Sequence, residues 1–154
     1  MSIVIITGSG GLVGSESVRF FSKKFSKVIG IDNDMRSYFF GKSASVKKNI
    51  YNLKRQFNNY YHYNFDIGNF SKVEKIFKKY KNKISFIIHS AAQPSHDWAA
   101  KEPLVDYTTN TTGTLNILEN IRLHCSKAKL AHLSTNKVYG DRPNTLPFVE
   151  KKKR

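Results

Sequence analysis

Short apolar runs alternate along the chain with longer stretches in which apolar residues recur every three or four positions. Ser2 to Thr7 is a continuous β-branched run, the pattern of a parallel strand buried on both faces. From Gly14 to Phe25, Val18, Phe21 and Phe25 fall at helical spacing. Lys27 to Ile31 reads as a second strand ending at Asp32. Asn33 to about Ser45 reads as a loop, long for a connection of this kind. Val46 to Phe57 predicts a helix with Ile50, Leu53 and Phe57 on one face, and Tyr61 to Phe65 alternates as a third strand that stops at Asp66. Ser71 is placed to cap a helix running to Tyr80, with Val73, Ile76 and Phe77 inward. Ile84 to His89 predicts a fourth buried strand. Trp98 to Cys125 holds one long helix, or two joined near Pro103, with Leu115, Leu118 and Ile121 as its apolar stripe. Leu130 to Ser134 is a fifth strand, and no periodic element follows Gly140.

Strands alternating with helices imply βαβ units, hence an α/β fold with a parallel sheet covered on both faces. Right-handed crossovers leave few arrangements, and the expectation is a Rossmann-type doubly wound sheet in the order 3-2-1-4-5, ending after the fifth strand. No repeat or linker divides residues 1–154, so a single domain is expected.

Composition narrows the partners. Lys and Arg number 26 against 11 Asp and Glu, a formal net charge of +15. Those lysines are spread along several segments on the polar faces of predicted helices, whereas nucleic-acid binding calls for a gathered stripe. A nucleic-acid partner is therefore not expected, although the charge favours anionic ligands. There is no apolar run long enough for a membrane span, no basic leader with a cleavage site, and a single cysteine, Cys125. The expected home is the reducing cytoplasm.

The chemistry begins at Thr7-Gly8-Ser9-Gly10-Gly11-Leu12-Val13-Gly14, where the first strand hands over to the first helix. Gly8 permits a tight turn, Gly11 lets backbone approach a pyrophosphate, and Gly14 lets helix and strand pack closely. Free N–H groups at the helix start supply an anion site. The second strand ends at Asp32, eighteen residues after Gly14. A carboxylate there accepts ribose hydroxyls and repels a 2′-phosphate, which favours NAD over NADP. Asn33 and Asp34 are placed to assist, while Arg36 just beyond is a residue that could welcome the 2′-phosphate.

The spacing of Gly8, Gly11 and Gly14 resembles the T-G-x-x-G-x-x-G turn of the extended short-chain dehydrogenases, the NAD-dependent nucleotide-sugar epimerases and dehydratases. Three later stretches resemble the same family. Asp66-Ile67 is similar to its adenine-contacting pair, His89-Ser90-Ala91-Ala92-Gln93 to its H-x-A-A segment facing the cofactor, and Asn110-Thr111-Thr112-Gly113-Thr114 to its N-x-x-G-T helix segment. Within the family, Ser134 to Asp141, Asp32 to Arg36 with Phe39-Phe40-Gly41, and Gln93 to Trp98 resemble the branch of CDP-paratose 2-epimerases. The resemblance implies an NAD cofactor, a nucleotide-sugar substrate, transient oxidation of a sugar hydroxyl and a capacity for homo-oligomers.

It also implies a catalytic Ser or Thr at the end of the fifth strand, matched by Thr135, and a Tyr and Lys spaced Y-x-x-x-K on the next helix. That pair belongs about a helix beyond Gly140, past Arg154, so the expectation is a cofactor portion without turnover of its own; the alternatives are an inactive NAD-binding module or subunit needing a partner and, ranked after it, a portion of a 4-epimerase or 4,6-dehydratase. Tyr38 and Lys42 fit the spacing as text, but they follow the second strand and enclose Gly41, which weakens a helix. His62, His89, His96, His124 and His132 are scattered, and no metal site is expected.

Overall fold

The structure, a computed structural model, describes residues 2–93 and 95–150, and of residues 136 and 137 the backbone alone. Pro94, the side chains of Asn136 and Lys137 and the terminal Lys-Lys-Lys-Arg lie outside the described residues. Five strands, β1 (Ile3–Thr7), β2 (Lys27–Ile31), β3 (Tyr60–Tyr63), β4 (Ile84–His89) and β5 (Lys129–His132), form one parallel sheet in the order β3-β2-β1-β4-β5. The doubly wound arrangement expected from the alternation is the one found.

Burial explains why the central strands read so clearly. All five residues of β1 are buried, because helices cover both faces of a strand that neighbours β2 on one side and β4 on the other. Ile3, Ile5, Ile29, Ile31, Ile84 and Ile87 pack beneath α4 (Phe70–Tyr80) and α7 (Gly113–His124). Val4, Ile6, Val28 and Ile88 pack beneath α1 (Leu12–Phe21) and α3 (Lys47–Gln56) through Val18 and Leu53. Each such fully buried side chain stabilises the fold by about 1.5–3 kcal/mol. β5 is the other extreme: an edge strand with neither Lys129 nor His132 buried.

Several expectations are corrected. Helix α1 starts at Leu12, two residues before Gly14, and ends at Phe21. The stretch read as loop contains α2 (Met35–Phe40) and a 3-10 turn at Lys42–Ala44. Strand β3 begins one residue earlier than expected, because Tyr60 rather than Tyr61 is buried. The cap of α4 is Asn69, whose side chain accepts the Lys72 N–H at 3.1 Å, and Ser71 lies inside the helix. The region from 98 to 125 is neither one helix nor two: α5 (His96–Lys101), α6 (Pro103–Tyr107), a π-type turn over Thr108–Thr112 and α7 follow one another. The face of α7 turned to the core carries Gly113, Asn116, Ile117 and Asn120, while Leu115 and Leu118 are exposed. Asn116 explains the switch, for its amide donates to the carbonyls of Ile67 (2.8 Å) and Gly68 (2.9 Å). No described helix is long and apolar enough to cross a membrane.

Candidate functional site: a cleft at the strand ends

The strands end together at one edge of the sheet, and the turn from β1 into α1 is built by exclusion. Gly8 has φ +66°, and a Cβ on it would lie 2.8 Å from the Ala91 nitrogen. A Cβ on Gly14 would run into the Gly8 carbonyl. On Gly11 it would meet only that carbonyl oxygen, at 3.4 Å, and Gly11 lines the cleft. So the first and third glycines let the turn form, and the middle one leaves its outer side clear. No side chain caps α1, whose first amides therefore lack an intrahelical or side-chain acceptor. Free amides at a helix start are groups that can receive an anion.

The cleft, about 240 Å³, is lined by Gly8, Gly11, Leu12, Val13 and Gly14 from this turn. Asp32, Asn33, Asp66 and Ile67 line it at the ends of β2 and β3, and Ala91 and Ala92 after β4. The other expected residues stand behind it. Gly10 backs onto α3, where a Cβ would lie 2.7 Å from Val46 Cγ2. The Ser9 hydroxyl is buried against the Tyr60 hydroxyl at 2.9 Å, above Gly30, where a Cβ would strike both side chains. Burial, first, pushes the Tyr60 phenol up to about 12, so it stays protonated.

Asp32 is held by two backbone donors, Gly10 N–H on Oδ2 and Asp34 N–H on Oδ1, each at 2.9 Å. A carboxylate oxygen accepts more than one hydrogen bond, so capacity remains for ligand hydroxyls. Asn33 ties β2 to β3: its amide donates to Asp66 Oδ2 at 2.9 Å while Asp66 Oδ1 accepts the Gly68 N–H at 2.6 Å. Asp34, expected to assist, faces elsewhere. It sits at φ 60°, accepts from the Val46 N–H (2.7 Å) and the Ser45 hydroxyl (2.8 Å), and pairs with Lys47. Among the described lining residues Arg36 is the one cation, and its guanidinium lies over the Phe40 ring, 5.2 Å from the centroid.

The β4 wall rests on a relay with one consistent proton assignment. The Thr114 hydroxyl donates to the Asn110 carbonyl at 2.6 Å, so His89 Nε2–H donates to Thr114 Oγ1 at 2.9 Å. His89 Nδ1 then accepts the Thr7 hydroxyl at 2.7 Å, and Thr7 Oγ1 accepts the Ala91 N–H at 3.1 Å. Burial, then the neighbouring His132, pushes the His89 pKa down to about 4, and the neutral ring fits this chain. Gln93 and Asn110 do not line the cleft; they form a knot with Asp106. The Gln93 N–H donates to Asn110 Oδ1 (2.8 Å), and both side-chain amides donate to Asp106 Oδ1, at 3.0 and 2.9 Å. Thr135 is exposed, three residues past the end of β5, and is not among the lining residues.

Sequence reasoning missed the aromatic and apolar lining: Met35, Phe39 and Phe40 from α2, Phe65 after β3 and Thr109. The first three lie in a stretch read as loop, which gives no periodicity from which to place them, while Phe65 was expected inside the third strand, which ends at Tyr63, and Thr109 inside a helix where a π-type turn is found. Among the described residues, no group of three or more His, Cys, Asp or Glu side chains could hold a metal ion.

The same outline recurs in known proteins. The chain is 33% identical over 151 residues to a UDP-glucuronate 4-epimerase of Thermodesulfobacterium geofontis, covering 97% of this chain and 44% of that protein. It is 33% identical over 138 residues to the CDP-paratose 2-epimerase of Salmonella typhi, covering 90% and 38%. It thus spans about two-fifths of the length of these relatives. Among solved structures, a UDP-glucose 4-epimerase from Bifidobacterium longum in complex with NAD+ and UDP superposes with a TM-score of 0.72 at 23% identity, over 90% of this chain and 38% of that one, which shows the shared fold. The family described as GDP-mannose 4,6 dehydratase matches residues 5–154. The chain belongs to that family, within the NAD-dependent epimerase/dehydratase group of extended short-chain dehydrogenases.

Proposed function

We propose that the cleft binds NAD and that the chain is the cofactor-holding part of an enzyme that epimerises a nucleotide-linked sugar, with CDP-paratose as the substrate. The observation that carries the first half is the pairing of an uncapped helix start, left clear by Gly11, with the fixed Asp32 carboxylate in the same cleft. The helix start would hold the pyrophosphate, Asp32 a ribose, and Asp66 with Ile67 the adenine; Ala91 and Ala92 would border the nicotinamide half. When bound, NAD supplies a hydride acceptor for a sugar hydroxyl. Thr135 would help place that hydroxyl.

What supports the narrower reading is that two of the three stretches resembling the CDP-paratose branch lie in contact: Phe39 packs on Trp98 beside the cleft that Asp32 lines. Its test is turnover by the protein that carries this sequence: conversion of CDP-paratose and not UDP-glucose is expected, and the reverse preference would overturn it. For the cofactor, titration calorimetry with NAD and NADP is the direct measurement. Selective NAD binding is expected, lost in Asp32→Ala. Gly11→Ala, which meets nothing closer than 3.4 Å, should fold normally yet bind at least about tenfold more weakly, because its methyl enters the cleft. Equal binding of NADP, or unimpaired binding by both variants, would refute the assignment.

A further inference from the structure

We propose that Tyr38, Trp98 and Glu102 form a clasp that joins the two sides of the cleft and sets how long a bound dinucleotide stays; this rests on the NAD reading above. Helix α2 follows β2 and α5 follows β4, and those strands flank β1 on opposite sides. A contact between the two helices therefore crosses over the end of β1, where the glycine turn begins. The contact has two parts. The Trp98 ring lies 5.5 Å from Phe39 and 5.7 Å from Tyr38, centroid to centroid. The Tyr38 hydroxyl donates to both oxygens of the Glu102 carboxylate, at 2.8 and 3.0 Å.

The clasped element can move as a unit. Backbone in the left-handed region bounds α2 on each side, at Asp34 (φ 60°) and Gly41 (φ 82°). Asp34 is pinned by its bonds to Val46 and Ser45, whereas a Cβ on Gly41 would meet nothing within 4 Å. One end is anchored and the other is open. Met35, Arg36, Phe39 and Phe40 of this helix line the cleft, so displacing α2 removes much of one wall. Among the described residues only side chains join α2 to α5 and Glu102, and no backbone hydrogen bond does. Such a contact opens at small cost, and a ligand lying beneath it must wait for that opening to leave.

The experiment is the rate of NADH release, followed by fluorescence after mixing the complex with excess NAD. Tyr38→Phe keeps the ring and removes the hydroxyl; Glu102→Ala removes the acceptor. Each should speed release about fivefold, a modest factor because the bond is exposed. The double variant should release no faster than either single one, since one contact is broken in all three. Tyr51→Phe, on α3 and equally exposed, should leave the rate unchanged. Trp98 is the single tryptophan, so its emission reports the clasp directly and should shift in Tyr38→Phe without ligand. Unchanged release in both single variants, or additive acceleration in the double, overturns the clasp and leaves NAD binding standing. Failure of the parent chain to bind NADH overturns both.

Discussion

At the scale of a residue, His89 shows how much chemistry a buried ring carries without reacting. It is 2% exposed, bonded at both nitrogens, and its pKa lies near 4 against an ordinary value near 6.5. On unfolding the ordinary value returns, so as pH falls the unfolded chain takes up the proton first. The neutral ring's stabilisation is complete above pH 6.5 and lost between there and pH 4, on the order of 3 kcal/mol in all. Urea unfolding should thus show a loss of about 2 kcal/mol between about pH 7.5 and about pH 5, and His89→Asn should flatten that slope. His62, also lowered by burial, contributes with the same sign, so the difference between parent and variant isolates His89. An equal slope in both would mean the ring is not held neutral. The H-x-A-A resemblance singled out this histidine, but not its role: the partners Thr7 and Thr114 are 82 and 25 residues away. The glycines divide in the same way. Gly8, Gly11 and Gly14 were legible because a turn between strand and helix constrains them locally, whereas Gly10 and Gly30 answer to α3 and Tyr60, far along the chain.

At the scale of an element, what was legible is what local pattern dictates. Strands β2 and β4 fall where the apolar runs placed them, because they are buried beside β1 and need no alternation. Helix α7 was found, but of its expected stripe only Ile121 packs against the core, while Leu115 and Leu118 are exposed. Its leucines suggest an apolar stripe, yet the core side is held by Asn116 reaching the Ile67 and Gly68 carbonyls, an inward amide that hydrophobicity does not reveal. Helix α2 was missed because its Ser-Tyr-Phe-Phe run gains its order from Trp98, in a different segment. The start of α4 separates two candidate caps. Asn69→Ala should cost about 1 kcal/mol, since its side chain accepts the Lys72 N–H, while Ser71→Ala, exposed inside the helix, should stay within about 0.5 kcal/mol. Chemical denaturation of both variants decides it, and a reversed order would restore Ser71 as the cap.

Across the whole molecule, charge works against the compact state. Twenty-six cationic side chains face eleven acidic ones, and the ion pairs of Lys and Arg among the described residues are few: Glu16 with Arg19, Asp34 with Lys47, Glu119 with Arg122, and Glu74 with Lys78. Most of these have an exposed partner and are worth about 0–1 kcal/mol each. Salt screens both terms, but the unpaired lysines are more numerous and act over longer distances, so repulsion is the larger quantity removed. Between about 10 mM and about 100 mM salt the screening length falls from about 30 Å to about 10 Å, shorter than the span of the sheet and its helices. The midpoint of thermal unfolding should therefore rise over that range with sodium chloride. A cleft ligand carrying negative charge responds oppositely, because the same field that strains the fold draws the anion in, so its affinity should fall as salt increases. Opposite slopes for stability and affinity are the signature of a basic scaffold built around an anion site. A falling midpoint would mean that the few ion pairs outweigh the net repulsion.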